Sequence, residues 1–350
     1  MQKWSLFIII FLLLSVLSAY AQEDLTLTIV THDDFAVSED VLRQFEDETG
    51  IRVRLLRSGD AGTMVNQSIL SKSNPLGDVM YGIDNTFLTR GLDADLFVPY
   101  ESPLLENVSE DFILDAEHRV TPIDYGDVCI NYDVQYFADN NLAIPESLAD
   151  LTDPQYRGLL VAQNPATSSP GLAFLLTTIT AFGEEGDYIY LDFWRDLVTN
   201  EILITDDWGE AYFGQFTVGS GAAGDYPMVV SYASSPPAEV FFAESAPESA
   251  PTASIIADGT CFRQIEFAGI LAGTEHLEAA RQFIDFLLSV SFQEDIPLQM
   301  FVFPVNENAE LPELFTTYAA VPENPVNMDI AMIDANRERW IEAWTETVLR

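Results

Sequence analysis

The 350-residue sequence contains few positive charges and few cysteines. Only 15 Lys and Arg residues accompany 56 Asp and Glu residues, so the formal charge at pH 7 is -41. This charge would repel a nucleic acid over a long range, which argues against a DNA- or RNA-binding protein. The two cysteines, Cys129 and Cys261, are too few for a disulfide-dense scaffold or a thiolate zinc cluster.

The motifs of common enzyme classes are also missing. The histidines His32, His118 and His276 lie in separate segments and form no H-E-x-x-H or similar metal-binding spacing. The sequence has no G-x-S-x-G elbow and no Walker A loop. Because no nucleophile and base can be paired, the sequence predicts neither catalytic nor metal-binding residues.

The first 21 residues have the pattern of a cleaved secretory signal peptide. Lys3 precedes an apolar run over residues 6–16, and Ala19-Tyr20-Ala21 follows as a cleavage site. The run is shorter than the roughly 20 apolar residues that span a membrane, so cleavage after Ala21 is favoured over retention as an anchor. The sequence therefore predicts a periplasmic or otherwise extracytoplasmic protein.

The following residues alternate between strand and helix patterns. In the first part, strands are predicted at residues 25–31, 51–56 and 79–81, and helices at residues 38–49 and 60–71. Strands and helices that alternate form a parallel sheet, and ligands of such sheets bind beyond the carboxyl ends of the strands. The loops that follow the strands are therefore the first place to search for a binding site.

A second segment with the same pattern extends from about residue 128 to residue 261. Its predicted elements are strands at 159–162, 202–205 and 228–231, a helix from residue 170 and a helix at 188–199. A strand at 265–271 and an amphipathic helix at 275–288 follow. The Pro-containing stretch 243–253 is predicted to be a surface loop.

Three loop-to-helix junctions carry hydroxyl or carboxyl side chains, at residues 58–63, 166–171 and 232–237. In the last two, Pro follows Ser directly, an order typical of an N-cap and the first helical residue. Helix starts present free N–H groups, so several of them in one cleft could bind an anion such as phosphate. Ordinary helix capping explains each junction on its own.

Two aromatic residues stand at predicted strand ends. Trp208 follows Asp206 and Asp207, and Tyr232 precedes a Ser-Ser pair. Aromatic faces close to carboxylates attract organic cations, with cation–π interactions of about 0.5–2 kcal/mol each. The alternative is that both rings pack at a surface between two lobes.

The order of these motifs resembles the periplasmic solute-binding proteins of ABC importers, in particular their thiamine-binding branch. General features of the superfamily match at residues 45–51 and 280–289. The resemblance to the thiamine branch rests on residues 59–61, 82–85, 124–126, 167–171, 208–212, 231–236 and 340–344.

This resemblance implies a type II periplasmic-binding-protein fold, α/β and two-lobed, each lobe a mostly parallel sheet with flanking helices. The ligand would lie in the cleft between the lobes. The implied divisions are a signal peptide at 1–21, lobe one at 22–125 and 263–310, lobe two at 126–262, and C-terminal helices at 311–350 packing across both lobes. Closure would be a hinge motion near Gly126 and Arg263.

The resemblance also implies the ligand and its site. The ligand would be thiamine or its phosphates, bound as cargo without any cofactor and delivered by a monomer to an ABC permease with its ATPase. Polar helix starts would bind a phosphate or hydroxyethyl tail, and the aromatic residues would bind the rings. The implied site residues are His32, Asp60, Ala61, Ser168, Ser169, Trp208, Tyr232, Ala233, Ser234 and Ser235.

Within this fold Cys129 and Cys261 should lie on neighbouring strands and form one disulfide, the alternative being two buried thiols. Three other functions stay open: a polyamine binder, a ferric iron binder, or an exported enzyme such as a thiaminase or a pyrimidine-precursor synthase. Iron sites usually contain adjacent tyrosines, and the sequence has no Tyr-Tyr pair.

Overall fold

The computed structural model describes residues 25–219, 224–243 and 249–350. The predicted signal peptide and part of the predicted loop at 243–253 lie outside the described residues. Within the described ranges, no helix is both long and apolar enough to cross a membrane.

Eleven strands form one sheet in the described part of the chain. They are β1 Thr26–Thr31, β2 Arg52–Arg57, β3 Val79–Asp84, β4 Phe97–Val98, β5 Thr121–Asp133, β6 Leu160–Gln163, β7 Leu203–Thr205, β8 Met228–Tyr232, β9 Thr252–Ile255, β10 Phe262–Leu271 and β11 Phe303–Pro304. The main order is β2-β1-β3-β10-β5-β8-β6-β7, with β4 beside β10 and with β9 and β11 beside β5.

Helices cover this sheet. They are α1 Glu39–Thr49, α2 Ala61–Leu70, α3 Leu88–Asp93, α4 Val134–Asp139, α5 Ser169–Phe182, α6 Tyr190–Thr199, α7 Pro236–Phe241, α8 Leu277–Leu287, α9 Val290–Gln299, α10 Glu313–Tyr318 and α11 Ile330–Val348. Short 3-10 turns lie at Pro103–Asn107, Glu110–Phe112, Ala149–Thr152 and Pro154–Tyr156, and a π-helical turn lies at Glu210–Gln215.

The predicted two-lobed α/β class is confirmed, and the sheet shows how the halves are joined. Strands β1, β2 and β3 are parallel at one end, and β6, β7 and β8 are parallel at the other. Between them β5 and β10 pair antiparallel to each other, with Gly126 opposite Gln264 and Asp127 opposite Arg263. The predicted hinge positions therefore lie within a strand pair, while the lobe boundaries stay a prediction.

Local sequence explains where the first helix begins and ends. Ser38 caps α1, its hydroxyl accepting the Val41 N–H at 3.4 Å. Gly50 ends the helix at φ 71°, a left-handed conformation that glycine adopts without a steric penalty. The prediction of a helix closed by Gly50 is confirmed.

Buried aromatic residues attach the C-terminal helix α11 to the rest of the molecule. Trp344 packs edge-on against Trp194 of α6, with ring centroids 5.5 Å apart. On the opposite half, Glu338 forms a 2.5 Å ion pair with Arg90 of α3. The helix therefore contacts both halves of the sheet.

Two other predictions have definite outcomes. Cys129 of β5 and Cys261, directly before β10, form a disulfide with an S–S distance of 2.09 Å, as predicted. The prediction of a loop over 243–253 is wrong at its end, because Thr252 and Ala253 belong to β9 and pair with Asp133 and Tyr132 of β5.

Candidate functional site

A cleft with a cavity volume of about 230 Å³ lies between the two halves. The carboxyl ends of parallel strands supply much of its wall: His32 follows β1, Asp60 follows β2, Trp208 follows β7 and Tyr232 ends β8. This volume is near the lower end of the usual range for pockets that bind small molecules. The prediction that loops after the strands form the site agrees with this geometry.

The structure brings most of the predicted site residues together. Seven line the cleft: His32, Asp60, Ala61, Ser169, Trp208, Tyr232 and Ser235. Ser168, Ala233 and Ser234 do not, because each is fully buried behind the wall. The ligand contacts of the ten predicted site residues stay a prediction.

One wall of the cleft is a group of aromatic rings around Trp208. The indole stacks on Tyr212 at 4.9 Å and 20°, and meets Phe213 edge-on at 5.2 Å and Tyr232 at 6.4 Å. Its Nε1–H donates to the Ser231 hydroxyl at 3.1 Å, which fixes the orientation of the ring. The sequence left two roles open for Trp208, a ligand platform or packing between the lobes. The ring is half-buried and lines the cleft, and its role as a ligand platform stays a prediction.

The facing wall comes from residues that sequence reasoning missed. Gln299 is the last residue of α9, and it lines the cleft together with Met300, Phe301 and Val302, which follow the helix. Phe301 has φ 55°, and its ring contacts the exposed Phe242 at 5.7 Å across the mouth of the cleft. A non-glycine residue at positive φ is uncommon and marks a local constraint.

The floor of the cleft carries the carboxyl group of Glu266, and two more carboxyl groups are buried behind it. Register places Glu266 of β10 opposite both Asp84 of β3 and Asp124 of β5, so three carboxyl groups lie side by side on adjacent strands. The Tyr81 hydroxyl donates to Asp124. Burial and the neighbouring Glu266 raise the pKa of Asp124 well above its usual range, which favours a protonated Asp124 beside Glu266.

His32 is the basic residue among these acids. Its Nε2 lies 3.5 Å from Glu266 Oε2, and both side chains are largely buried. Burial alone would lower the pKa of His32, but the carboxylates of Glu266, Asp34 and Asp60 outweigh it and raise the pKa to about 9. The imidazole is therefore charged at neutral pH.

The His32 charge should make folding stability depend on pH. A folded-state pKa of about 9, above the usual 6.5, gives stability that is complete below pH 6.5 and disappears as the pH rises through 9. The loss should be on the order of 3 kcal/mol. Urea denaturation across this range should show the decline in the wild type and not in His32→Gln.

His276→Gln, which removes an imidazole outside the cleft lining, is the matched control. It should keep the wild-type decline. An identical slope in His32→Gln would contradict the assigned ion pair.

The structure corrects one prediction about which residues cap the helices at the cleft. Asp60 does cap α2, accepting the Ala61 N–H at 2.7 Å. Ser169, expected to be a cap before Pro170, is instead the first residue of α5, and its hydroxyl donates to Asp84. Ser235 precedes α7 but makes no side-chain cap bond, because its hydroxyl lies 3.0 Å from the Ser231 hydroxyl.

Burial and hydrogen bonding have opposite effects on the pKa values of Asp60 and Asp84. Burial raises the pKa of both carboxyl groups, while bonds from Ser168 and Ala61 to Asp60, and from Ser169 and Thr86 to Asp84, lower it. The resulting pKa is about 6 in each case. Both groups are therefore mostly ionised at neutral pH.

Replacing Ser169 with Ala should destabilise the fold by about 1–3 kcal/mol, because the ionised Asp84 loses a buried donor. The loss should shrink near pH 5, where Asp84 is protonated in the wild type. Urea denaturation at both pH values measures this, with the exposed Ser73→Ala as control. A loss that does not change with pH would show that the Asp84 bond is not its cause.

Two α/β halves, joined by a pair of long antiparallel strands around a cleft of ligand size, define a solute-binding protein. A family model described as bacterial extracellular solute-binding protein matches residues 74–321, and the chain belongs to this family. This is a family of binding proteins rather than enzymes, and its description indicates an extracytoplasmic location.

Individual relatives narrow the comparison to one kind of solute-binding protein. The chain is 27% identical to the thiamine-binding periplasmic protein of Escherichia coli K12, over 93% of this chain and 94% of the relative. It is 28% identical to the protein of the same name from Brucella suis, over 95% of each chain. Among solved structures, a periplasmic thiamin binding protein superposes with a TM-score of 0.81 at 26% identity, covering 93% of this chain and 96% of the other.

Glu266 and Asp34 are site residues that the sequence did not reveal. Asp34 lines the cleft two residues after His32, and burial raises the pKa of its carboxyl group. Glu266 lies within β10, where the buried pattern is interrupted at Arg263 and at Glu266. An acid inside a mostly apolar run, Ile265 to Leu271, is the local signal that could have identified it.

Proposed function

We propose that this protein captures thiamine in the cleft and delivers it to an ABC importer. The supporting observation is the pairing of an aromatic wall around Trp208 with an acidic floor around Glu266 in one cleft. The thiazolium ring of thiamine is flat and permanently cationic, so it suits both surfaces. The names of the relatives point to the same ligand.

Within this proposal, the thiazolium lies against the face of Trp208 or Tyr232 and near the carboxylates. The pyrimidine ring occupies the rest of the aromatic cleft, including the side formed by Met300 and Phe301. Each cation–π contact would contribute about 0.5–2 kcal/mol, the larger value where water is excluded. The ligand is cargo, so no bond chemistry is required of the site.

Transport would use the strand pair β5 and β10 as the hinge. The halves close around thiamine, and the closed form is recognised by the permease and its ATPase. We infer that the protein acts as a monomer after removal of residues 1–21. A soluble carrier of this kind needs neither a cofactor nor a catalytic group.

Polyamine and ferric iron binders are the rival functions on the same scaffold. Polyamines would use the carboxylates but not the extensive aromatic wall. For iron, no group of three or more His, Cys, Asp or Glu side chains in the described ranges is arranged to hold a metal ion. An exported enzyme would need a reactive group in the cleft, where His32 is held by Glu266.

Thermal melts with a panel of ligands separate these functions. Thiamine at about 100 times its dissociation constant should stabilise the protein by about 2.7 kcal/mol, which raises the melting temperature by several degrees. Spermidine and ferric citrate should produce no comparable shift. Thiamine recovered unchanged after long incubation would support the carrier, whereas turnover would indicate the enzyme.

A further inference from the structure

The strand pair β5 and β10 passes from one half of the molecule to the other. Ala268 of β10 pairs with Tyr81 of β3 in the first half. Cys129 of β5 pairs with Ser231 of β8 in the second half. An opening of the cleft therefore has to bend or twist the strand pair between these two points. The place of the bend depends on how firmly each end of the strand pair is held.

A disulfide closes the end of the strand pair that enters the second half. The last paired residues at this end are Val128 and Phe262. The disulfide joins the next residue of each segment, Cys129 and Cys261, and both are fully buried. Its covalent bond keeps the two segments from separating or sliding past each other.

An ion pair holds the same end. The Arg263 guanidinium donates to the two oxygens of the buried Asp127 carboxylate, at 2.6 and 3.1 Å. Two parallel hydrogen bonds between a guanidinium and a carboxylate fix the relative orientation of both groups. The ion pair and the disulfide therefore lie on either side of Val128 and Phe262 and hold this end of the hinge firmly.

The other end of the strand pair is irregular. Glu266 lies opposite Asp124. The next residue, Phe267, lies opposite Pro122, so Ile123 is an extra residue on β5. Such a β-bulge bends its strand and interrupts the ladder of hydrogen bonds, and Pro122 has no N–H to donate to the ladder. This end can therefore bend more easily than the end held by the disulfide.

We propose that the disulfide between Cys129 and Cys261 stiffens one end of the hinge, confines bending to the bulge at Ile123, and thereby strengthens ligand binding. Without the bond, the strands could also twist at the second end. The open protein would then have more conformations to lose when the cleft closes, and closing would cost more free energy. The effect on binding rests on the proposed function, since it takes thiamine as the ligand.

Hydrogen exchange of the ligand-free wild type tests where the strand pair bends. Backbone amides at 126–128 and 262–264 should be protected about tenfold or more above those at 123–124 and 266–268, because local opening begins where the ladder is interrupted. Bound thiamine should increase protection at the bulge and leave the other segments unchanged. Protection at 126–128 and 262–264 that is equal to or lower than at the bulge would overturn the proposal.

The variant Cys129→Ala with Cys261→Ala tests the role of the disulfide in the same measurement. Trp194→Ala is the matched control, because it removes a buried ring of the second half, outside the hinge, and should lose a similar amount of stability. Relative to this control, the double variant should exchange about tenfold faster at 126–128 and 262–264. Equal exchange of these segments in the two variants would overturn the proposal. The comparison needs no ligand, and the wild-type order of protection still decides if the double variant fails to fold.

Calorimetric titration with thiamine tests the effect on binding, at a temperature at which both variants are fully folded. The dissociation constant should rise about threefold to tenfold in the double variant and keep its wild-type value in Trp194→Ala. An unchanged constant in the double variant, or equal weakening in both variants, would overturn this inference alone, provided that the wild type binds thiamine. Absence of binding by the wild type would overturn the proposed function, and the exchange of the ligand-free protein would still decide where the hinge bends.

Discussion

Replacing Trp208 with Ala should weaken thiamine binding by roughly tenfold to a hundredfold, equivalent to about 1–3 kcal/mol. The substitution removes the indole face that lines the cleft, and with it both ring stacking and cation–π attraction. The fold should survive, because the ring is half-buried and Tyr212 beneath it keeps its own bond to Glu239 at 2.8 Å.

Calorimetry and thermal melts of the same variant separate a platform from a packing role. Trp208→Phe keeps an aromatic face and should recover much of the affinity. Trp194→Ala, in the core, should instead cost about 3–5 kcal/mol of stability. If Trp208→Ala behaved like this core variant, with unchanged affinity and a sharply lower melting temperature, the platform role would be refuted.

Removing the disulfide should lower the stability of the fold strongly. The variant Cys129→Ala with Cys261→Ala should lose about 2–5 kcal/mol of unfolding free energy. The bond closes a loop of 132 residues in the unfolded chain and ties β5 to the start of β10 beside Ala233. Urea denaturation of the oxidised wild type and of the double variant measures the loss.

Reductant provides the control for this experiment. It should destabilise the wild type towards the level of the double variant, and it should leave the double variant unaffected. Two free thiols in unreduced peptides of the wild type, found by mass spectrometry, would contradict the pairing.

The sequence predicts local structure well where the signal lies within one element. The helix between Ser38 and Gly50 begins and ends at residues whose capping chemistry is visible in the sequence. Strand β3 is longer than predicted and ends at Asp84 rather than Tyr81, because Gly82 and Asp84 interrupt the apolar pattern that reveals a strand. Pairing with β10 maintains the strand there, and this contact is not visible in local sequence.

The same difference between local signals and long-range contacts appears in the candidate site. Trp208 and Tyr232 stand at strand ends and could be recognised from their position. Glu266 could not, because its importance comes from facing His32, 234 positions earlier in the chain, and Asp124 on the next strand. The hydroxyl of Ser169 was misassigned for a similar reason, since its partner Asp84 belongs to the other half of the molecule.

The central claim is that this cleft binds thiamine as cargo, and a calorimetric titration of the mature chain with thiamine tests it most directly. We expect saturable binding of one thiamine per chain, with a dissociation constant of about 1 μM or below, equivalent to about 8 kcal/mol or more. No saturable heat with thiamine, together with saturable binding of spermidine or ferric citrate, would contradict it.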